Sequence, residues 1–499
     1  MKPYILLFIL ILGGGQIIKA ENIVIAQDWT PRADVYTQPL DQQTVQAAWF
    51  PRILVDTAGT IHAFWTYALP NSNYHLGDYI MYANFKDGQW SEPNEIIGSP
   101  DGRGASAIEI VIDTKGYFHI IWYGRKVGQD AWLYYSKAHV TEAESAQNWQ
   151  TPVPILYYEG DALIDPATLL IDPADNLHLI AVEGGSTYEK FDYFRSEDGG
   201  VSWKMLSEFN GSLVNGVSFW QPQATFDNQQ NIHVAWVAES SVGQGYDGTH
   251  TLYYTHSTDN GQSWLPISLL GTSSDINYND VALAYDGHAV LHAIWNTSGP
   301  GAKRFHRLSM DNGKSWSEPQ ILYQGSGRTM PPALAIDSQG DLHIVSSGDG
   351  SDATTELFYW RWNGKEWTDY QNLHSLYGYR GESPAIVISP NAELHLLWRN
   401  NQFFSISHTS RALNSPQASL APIPTPNSLL FTTSNTYAIE QEKSSGQQVT
   451  PPSLSQEIPI ITQEPSQTLR TNETLLLSII PTFLLVAGFF VFHQVRRQE

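Results

Sequence analysis

Cysteine is absent from the 499 residues, so no disulfide, thiolate metal site or cysteine nucleophile is available, and stability must come from packing. Positive charge is scarce. Against 50 Asp and Glu there are only 27 Lys and Arg, a formal charge of −23, which repels a phosphate backbone and leaves nucleic acid outside the partners to expect. Charged residues make up only 15% of the chain, and long amphipathic helical patterns are lacking. What is present is 17 Trp, 25 Tyr and 38 Gly, a composition suited to many short strands joined by tight turns.

The two ends differ from the middle. Lys2, the apolar run Tyr4 to Leu12, the Gly13-Gly14-Gly15 triplet and Ala20 before Glu21 have the layout of a secretory signal over residues 1–20. Leu475 to Phe492 carries no charge and approaches the ~20 apolar residues that a spanning helix needs, predicting one transmembrane helix over 472–494. His493, Arg496 and Arg497 follow it, which by the positive-inside rule makes 495–499 a cytoplasmic tail and puts everything before it outside the cell. Residues 413–471 are rich in Pro, Ser, Thr and Gln and read as a disordered stalk on the order of 40 Å long. The expected location is the cell membrane, single-pass.

Between them, over 21–412, one unit recurs: an apolar strand, an Asp, a short turn, then a His six residues after the Asp. The copies are Asp56/His62, Asp113/His119, Asp172/His178, Asp227/His233, Asp286/His292, Asp337/His343 and, without its Asp, Ser389/His395. Trp65, Trp122, Trp236, Trp295 and Trp398 stand three residues beyond their His. A period of 51 to 59 residues built from strands and turns predicts an all-β propeller of seven four-stranded blades, six being the alternative count. The seventh unit lacks an outer strand, so Asn22 to Thr37 is expected to supply it and close the ring. The repeated His, one per blade, reads as a packing residue with a satisfied hydrogen bond; no metal or cofactor is expected.

A second motif, Ser-x-Asp-x-Gly-x-x-Trp, occurs three times: Ser196, Asp198, Gly200, Trp203; Ser257, Asp259, Gly261, Trp264; and Ser309, Asp311, Gly313, Trp316. Shortened copies lie at Lys86 to Trp90 and Asn363 to Trp367. The Asp can accept backbone N–H groups across the turn while Gly takes positive φ and Trp packs on the blade. In these motifs the chain resembles the Asp-box, or BNR-repeat, propellers of the sialidase superfamily over about residues 22–411. The resemblance implies a fold, because these turns lie on the face away from the binding site.

Counting seven residues back from each turn Asp, to where inner strands begin at the channel mouth, gives Trp49, Ser106, Asp165, Trp220, Asn279, Met330 and Glu382. Arg103, Arg328 and Arg380 lie just upstream, and Arg52 within the first inner strand. Aromatic faces, carboxylates, amides and guanidiniums around a shallow mouth suit a sugar. The alternative is that the Trp residues plug the channel and the charges form a solvated rim. Enzymes of the resembled family carry Arg-Ile-Pro in the first inner strand; Pro51 matches, but Trp49 stands at the Arg position, and Arg52, three residues on, is expected on the opposite side of the strand. Their acid/base Asp corresponds weakly to Asp78. The sequence therefore favours binding of a glycan or an extracellular protein, over a sialidase-like glycoside hydrolase and over a purely architectural module; whether the protein is an enzyme is left open.

Overall fold

Alternating apolar strands cannot bury both faces alone, and here they stack radially. The computed structural model describes residues 28–425 except 38–47, 69–76, 101, 103, 125–129, 160–166, 184–189, 213–216, 241–249, 274–277, 298–301, 325–330, 350–354, 369, 374–380 and 401–404, and gives no side-chain account for 217–221, 239–240, 272–273, 278–279, 349 and 355. The signal and the membrane-helix assignments lie outside these residues. Among those described, no helix is long and apolar enough to cross a membrane.

The strands form seven antiparallel sheets, one per blade. Blade 4 is typical: inner strand Val217–Phe226, then Ile232–Ser240, His250–Ser257 and outer strand Ser268–Ser273. Inner strands of blades 1, 2 and 7 are Ala48–Val55, Ser106–Ile112 and Gly381–Ser389. Seven apolar clusters lie one between each pair of neighbouring blades. Trp65, Trp122, Trp236, Trp295 and Trp398 are buried in them. The expected closure is present: Ala33–Tyr36 pairs antiparallel with Ser405–Ala412, Ala33 opposite His408 and Tyr36 opposite Ile406.

The turn after each inner strand explains the Asp and the His together. Asp113 Oδ1 accepts N–H bonds from Lys115 at 3.0 Å and Tyr117 at 2.7 Å, while Oδ2 lies 3.3 Å from His119 Nε2. His119 Nδ1 lies 2.7 Å from the Tyr135 hydroxyl on the third strand. A neutral imidazole that donates to Asp113 and accepts from Tyr135 satisfies all three buried groups. The same Asp–His–Tyr chain recurs at Asp56, His62 and Tyr82, at Asp172, His178 and Tyr193, and at Asp337, His343 and Tyr359. Among the described residues no group of three or more His, Asp or Glu is arranged to hold a metal ion.

Each chain also ends on the next blade. The Ser-x-Asp-x-Gly-x-x-Trp turn of blade 3 is closed internally: Ser196 Oγ donates to Asp198 at 2.8 Å, and Asp198 accepts the Ser202 N–H at 2.9 Å. A Cβ on Gly200, whose φ is +83°, would lie 1.9 Å from the Tyr135 hydroxyl of blade 2. Gly261 stands in the same way against Tyr193, and Gly313 against Tyr254. Glycine is thus required twice over, for its dihedral and for the neighbour's ring. Blades 5 and 7 replace the Tyr by His306 and His408, and the blades after them carry the shortened turns. There the turn's Trp takes up the space: Trp367 Nε1 donates to His306 at 3.2 Å, and Trp90 meets His408 edge to face at 5.1 Å.

Burial holds several of these imidazoles far below the usual histidine range, His306 and His408 down to about 3 and His233 to about 4. A folded pKa below the unfolded value of 6.5 means the unfolded chain binds more protons between the two. Stability is therefore full above about pH 6.5 and is lost as the pH falls towards 3–4. Thermal unfolding followed by circular dichroism should show a melting temperature that drops progressively from pH 7 to pH 4. A flat profile would contradict the assignment of neutral buried imidazoles.

Residues 413–425, read from composition as the start of the stalk, are seated on the face that carries the Asp turns. Leu413 N donates to Ala392 O, Ala418 N to Pro390 O and Ala421 N to Thr57 O, at 2.7–2.8 Å. Ile423 packs on the cluster between blades 1 and 2. Short side chains and proline let this backbone lie flat against the turns, which a composition reading takes for absence of structure.

Candidate functional site

The opposite face is where inner strands begin, and five of these strands start with the same irregularity. Trp49 pairs with Thr66 and Arg52 with Phe64; Ser106 with Tyr123 and Glu109 with Ile121; Trp220 with Val237 and Gln223 with Ala235; Tyr278 with Thr297 and Val281 with Trp295; Glu382 with Arg399 and Ala385 with Leu397. Three residues on the inner strand oppose two on its neighbour, a β-bulge. In blades 1, 4 and 7 it contains a proline, Pro51, Pro222 or Pro384, which has no N–H to give to the ladder. Phe50, Ala107 and Ser383 within these bulges take φ of 48°, 47° and 48°, strained for residues with a Cβ and held there by the surrounding ring.

Within the first bulge Trp49 and Arg52 turn to different neighbours: the Trp49 ring lies against Arg399 of blade 7, while Arg52 faces Glu109 of blade 2. Arg52 reaches into the channel and donates from Nη2 to Glu109 Oε1 of blade 2 at 2.8 Å. Both side chains are partly exposed, at 33% and 25%.

Glu382 and Trp49 meet through a residue that spacing alone did not single out. Arg399, at the end of the second strand of blade 7, donates from Nη1 to Glu382 Oε2 at 2.7 Å. Its guanidinium lies over the half-buried Trp49 ring of blade 1, 3.5 Å from the centroid. Burial lowers the Arg399 pKa and the Glu382 carboxylate opposes that shift. One face of Trp49 is therefore covered by a cation and its Nε1 is buried, while the side chain as a whole keeps partial exposure. The site is a Trp flanked by two guanidinium–carboxylate pairs on three consecutive blades.

The other candidates divide. Ser106 is buried and donates to Tyr123 O at 3.3 Å. Trp220 and Asn279 are placed in their inner strands, with side chains outside the described residues. Arg103, Asp165, Arg328, Met330 and Arg380 also lie outside them. Asp78 heads the third strand of blade 1, its N–H bonded to Tyr67 O at 2.7 Å. The three Ser-x-Asp-x-Gly-x-x-Trp turns are at the opposite end, with the Asp turns.

No protein-family model matches the chain, and no curated protein matches it by sequence. Solved structures do share its fold. An ulvan lyase of a polysaccharide lyase family superposes with a TM-score of 0.52 at 12% identity, over 74% of this chain and 95% of that one. A Dyadobacter fermentans protein of unknown function gives a TM-score of 0.47 at 14% identity, over 77% and 99%. A NanB sialidase from Streptococcus pneumoniae gives 0.43 at 15%, over 77% and 71%. At such identities the likeness concerns the fold, and the chemistry has to be read from the mouth itself.

Proposed function

We propose that the propeller binds a carbohydrate at the channel mouth, presented outside the cell by the C-terminal helix expected over 472–494. The observation that carries this reading is the Trp49 ring between two neutralised ion pairs, Arg52 with Glu109 and Arg399 with Glu382. Such pairs offer fixed N–H donors and carboxylate acceptors without net charge, which suits the vicinal hydroxyls of a sugar, and the free part of the indole supplies an apolar surface for pyranose C–H groups. The internal closure of the three Ser-x-Asp-x-Gly-x-x-Trp turns supports placing the chain among the Asp-box propellers. The ulvan lyase with the same fold was solved bound to an acidic sugar unit, which supports a glycan as the class of ligand.

Sialoside hydrolysis is not expected. A ligand carboxylate needs guanidiniums free to pair with it, and here Arg52 and Arg399 each already hold a carboxylate within 2.8 Å. Displacing one leaves a partly desolvated Glu, which costs a few kcal/mol. Incubation with a fluorogenic sialoside should give no turnover. Turnover abolished by Asp78→Asn would overturn this and restore the hydrolase.

A further inference from the structure

The far end of the channel carries a second feature, unrelated to the mouth. The strap 413–425 follows the ring of Asp turns in an arc. Ser338 of blade 6 donates to Pro416 O at 2.5 Å, Ala418 meets Pro390 of blade 7, and Ala421 meets Thr57 of blade 1. Ile423 then lies against blade 2, 3.1 Å from where a Cβ on Gly116 would be. Pro390 and Thr57 are equivalent residues, the first after the turn's Asp or Ser. Their counterparts in the next three blades are Thr114, Pro173 and Asn228, and all three line one open groove of 440 Å³. Ile112, Ile171, Phe226 and Tyr285 supply its apolar wall, and Ile112 also packs on the cluster that receives Ile423.

We propose that this groove is the continuation of the strap's track and is filled by Pro426 to Phe431 of the same chain. Three observations converge. The groove begins where the described strap ends, and it is continuous with the interface the strap already makes. The strap takes three residues from blade 7 to blade 1 and two from blade 1 to blade 2; at about 3.5 Å per residue at most, residues 426–431 reach blades 3 to 5. Finally, the sequence there is Pro426-Asn-Ser-Leu-Leu-Phe431, an uncharged apolar cluster that matches Phe226 and Tyr285. The carboxylates of Asp172 and Asp227 at the groove are engaged by their own turns, and they disfavour an acidic peptide in its place.

The absence of cysteine makes a direct test possible. In the full chain, Asn228→Cys with Leu430→Cys should form an intramolecular disulfide under mild oxidation, seen as a reducible shift in mobility of the monomer. Leu430→Cys with Gln320→Cys, on the outer strand of blade 5, should form at least tenfold less. Single-cysteine variants with the parent melting temperature show that the fold is kept. An intermolecular disulfide from the first pair would mean that a second copy fills the groove, and equal cross-linking in both pairs would mean no seat. Either result overturns the proposal, and neither bears on sugar binding at the mouth.

Discussion

Gly313→Ala is expected to cost about 2–5 kcal/mol and to lower the melting temperature clearly, although it adds one methyl group on a surface turn. Holding alanine in the left-handed region costs roughly 1–2 kcal/mol, and forcing an atom into a filled space costs about 1–3 more. Gly313 has φ of +79°, and its Cβ would lie 1.7 Å from the Tyr254 hydroxyl of the preceding blade. That hydroxyl is fixed at 2.7 Å from His233 Nδ1, so it cannot turn aside without giving up that contact. The steric share should shrink by about 1 kcal/mol when Tyr254→Phe removes the oxygen first. Strict additivity of the two substitutions in thermal unfolding would show that the turn does not touch the neighbouring blade.

Glu382→Leu is expected to cost about 3–5 kcal/mol, because it leaves the Arg399 guanidinium, only 2% exposed, without its carboxylate. Glu382→Gln keeps an acceptor oxygen and should cost less than half as much. Glu382→Leu combined with Arg399→Met should recover most of the loss in thermal unfolding, since an apolar pair of similar volume no longer buries a charge. A single Leu variant as stable as the parent would show that water reaches Arg399, and the mouth would be a solvated rim.

The ring itself was legible in the sequence because its signals are local. An Asp that bonds its own turn and a His six residues later report each blade independently, and the strand missing from the seventh unit predicted closure by the N-terminus. The mouth was less legible. The bulges at the starts of the inner strands were not foreseen, although Pro51, inside what reads as a central strand, was the available warning. Arg399 was overlooked because it is not on an inner strand, yet a cation ending the run Leu394-His-Leu-Leu-Trp398 is an anomaly in a buried strand and could have marked it. The strap escaped because it binds through backbone N–H groups, which leave no side-chain pattern.

The carbohydrate reading stands most directly on Trp49. Binding of the protein to an array of immobilised glycans should be compared for the parent and for Trp49→Ala, each first shown by thermal unfolding to be folded. The account predicts saturable binding by the parent to one class of glycan and a loss of on the order of tenfold or more in the variant. Equal binding by both proteins, or no binding by the parent to any glycan, would contradict it.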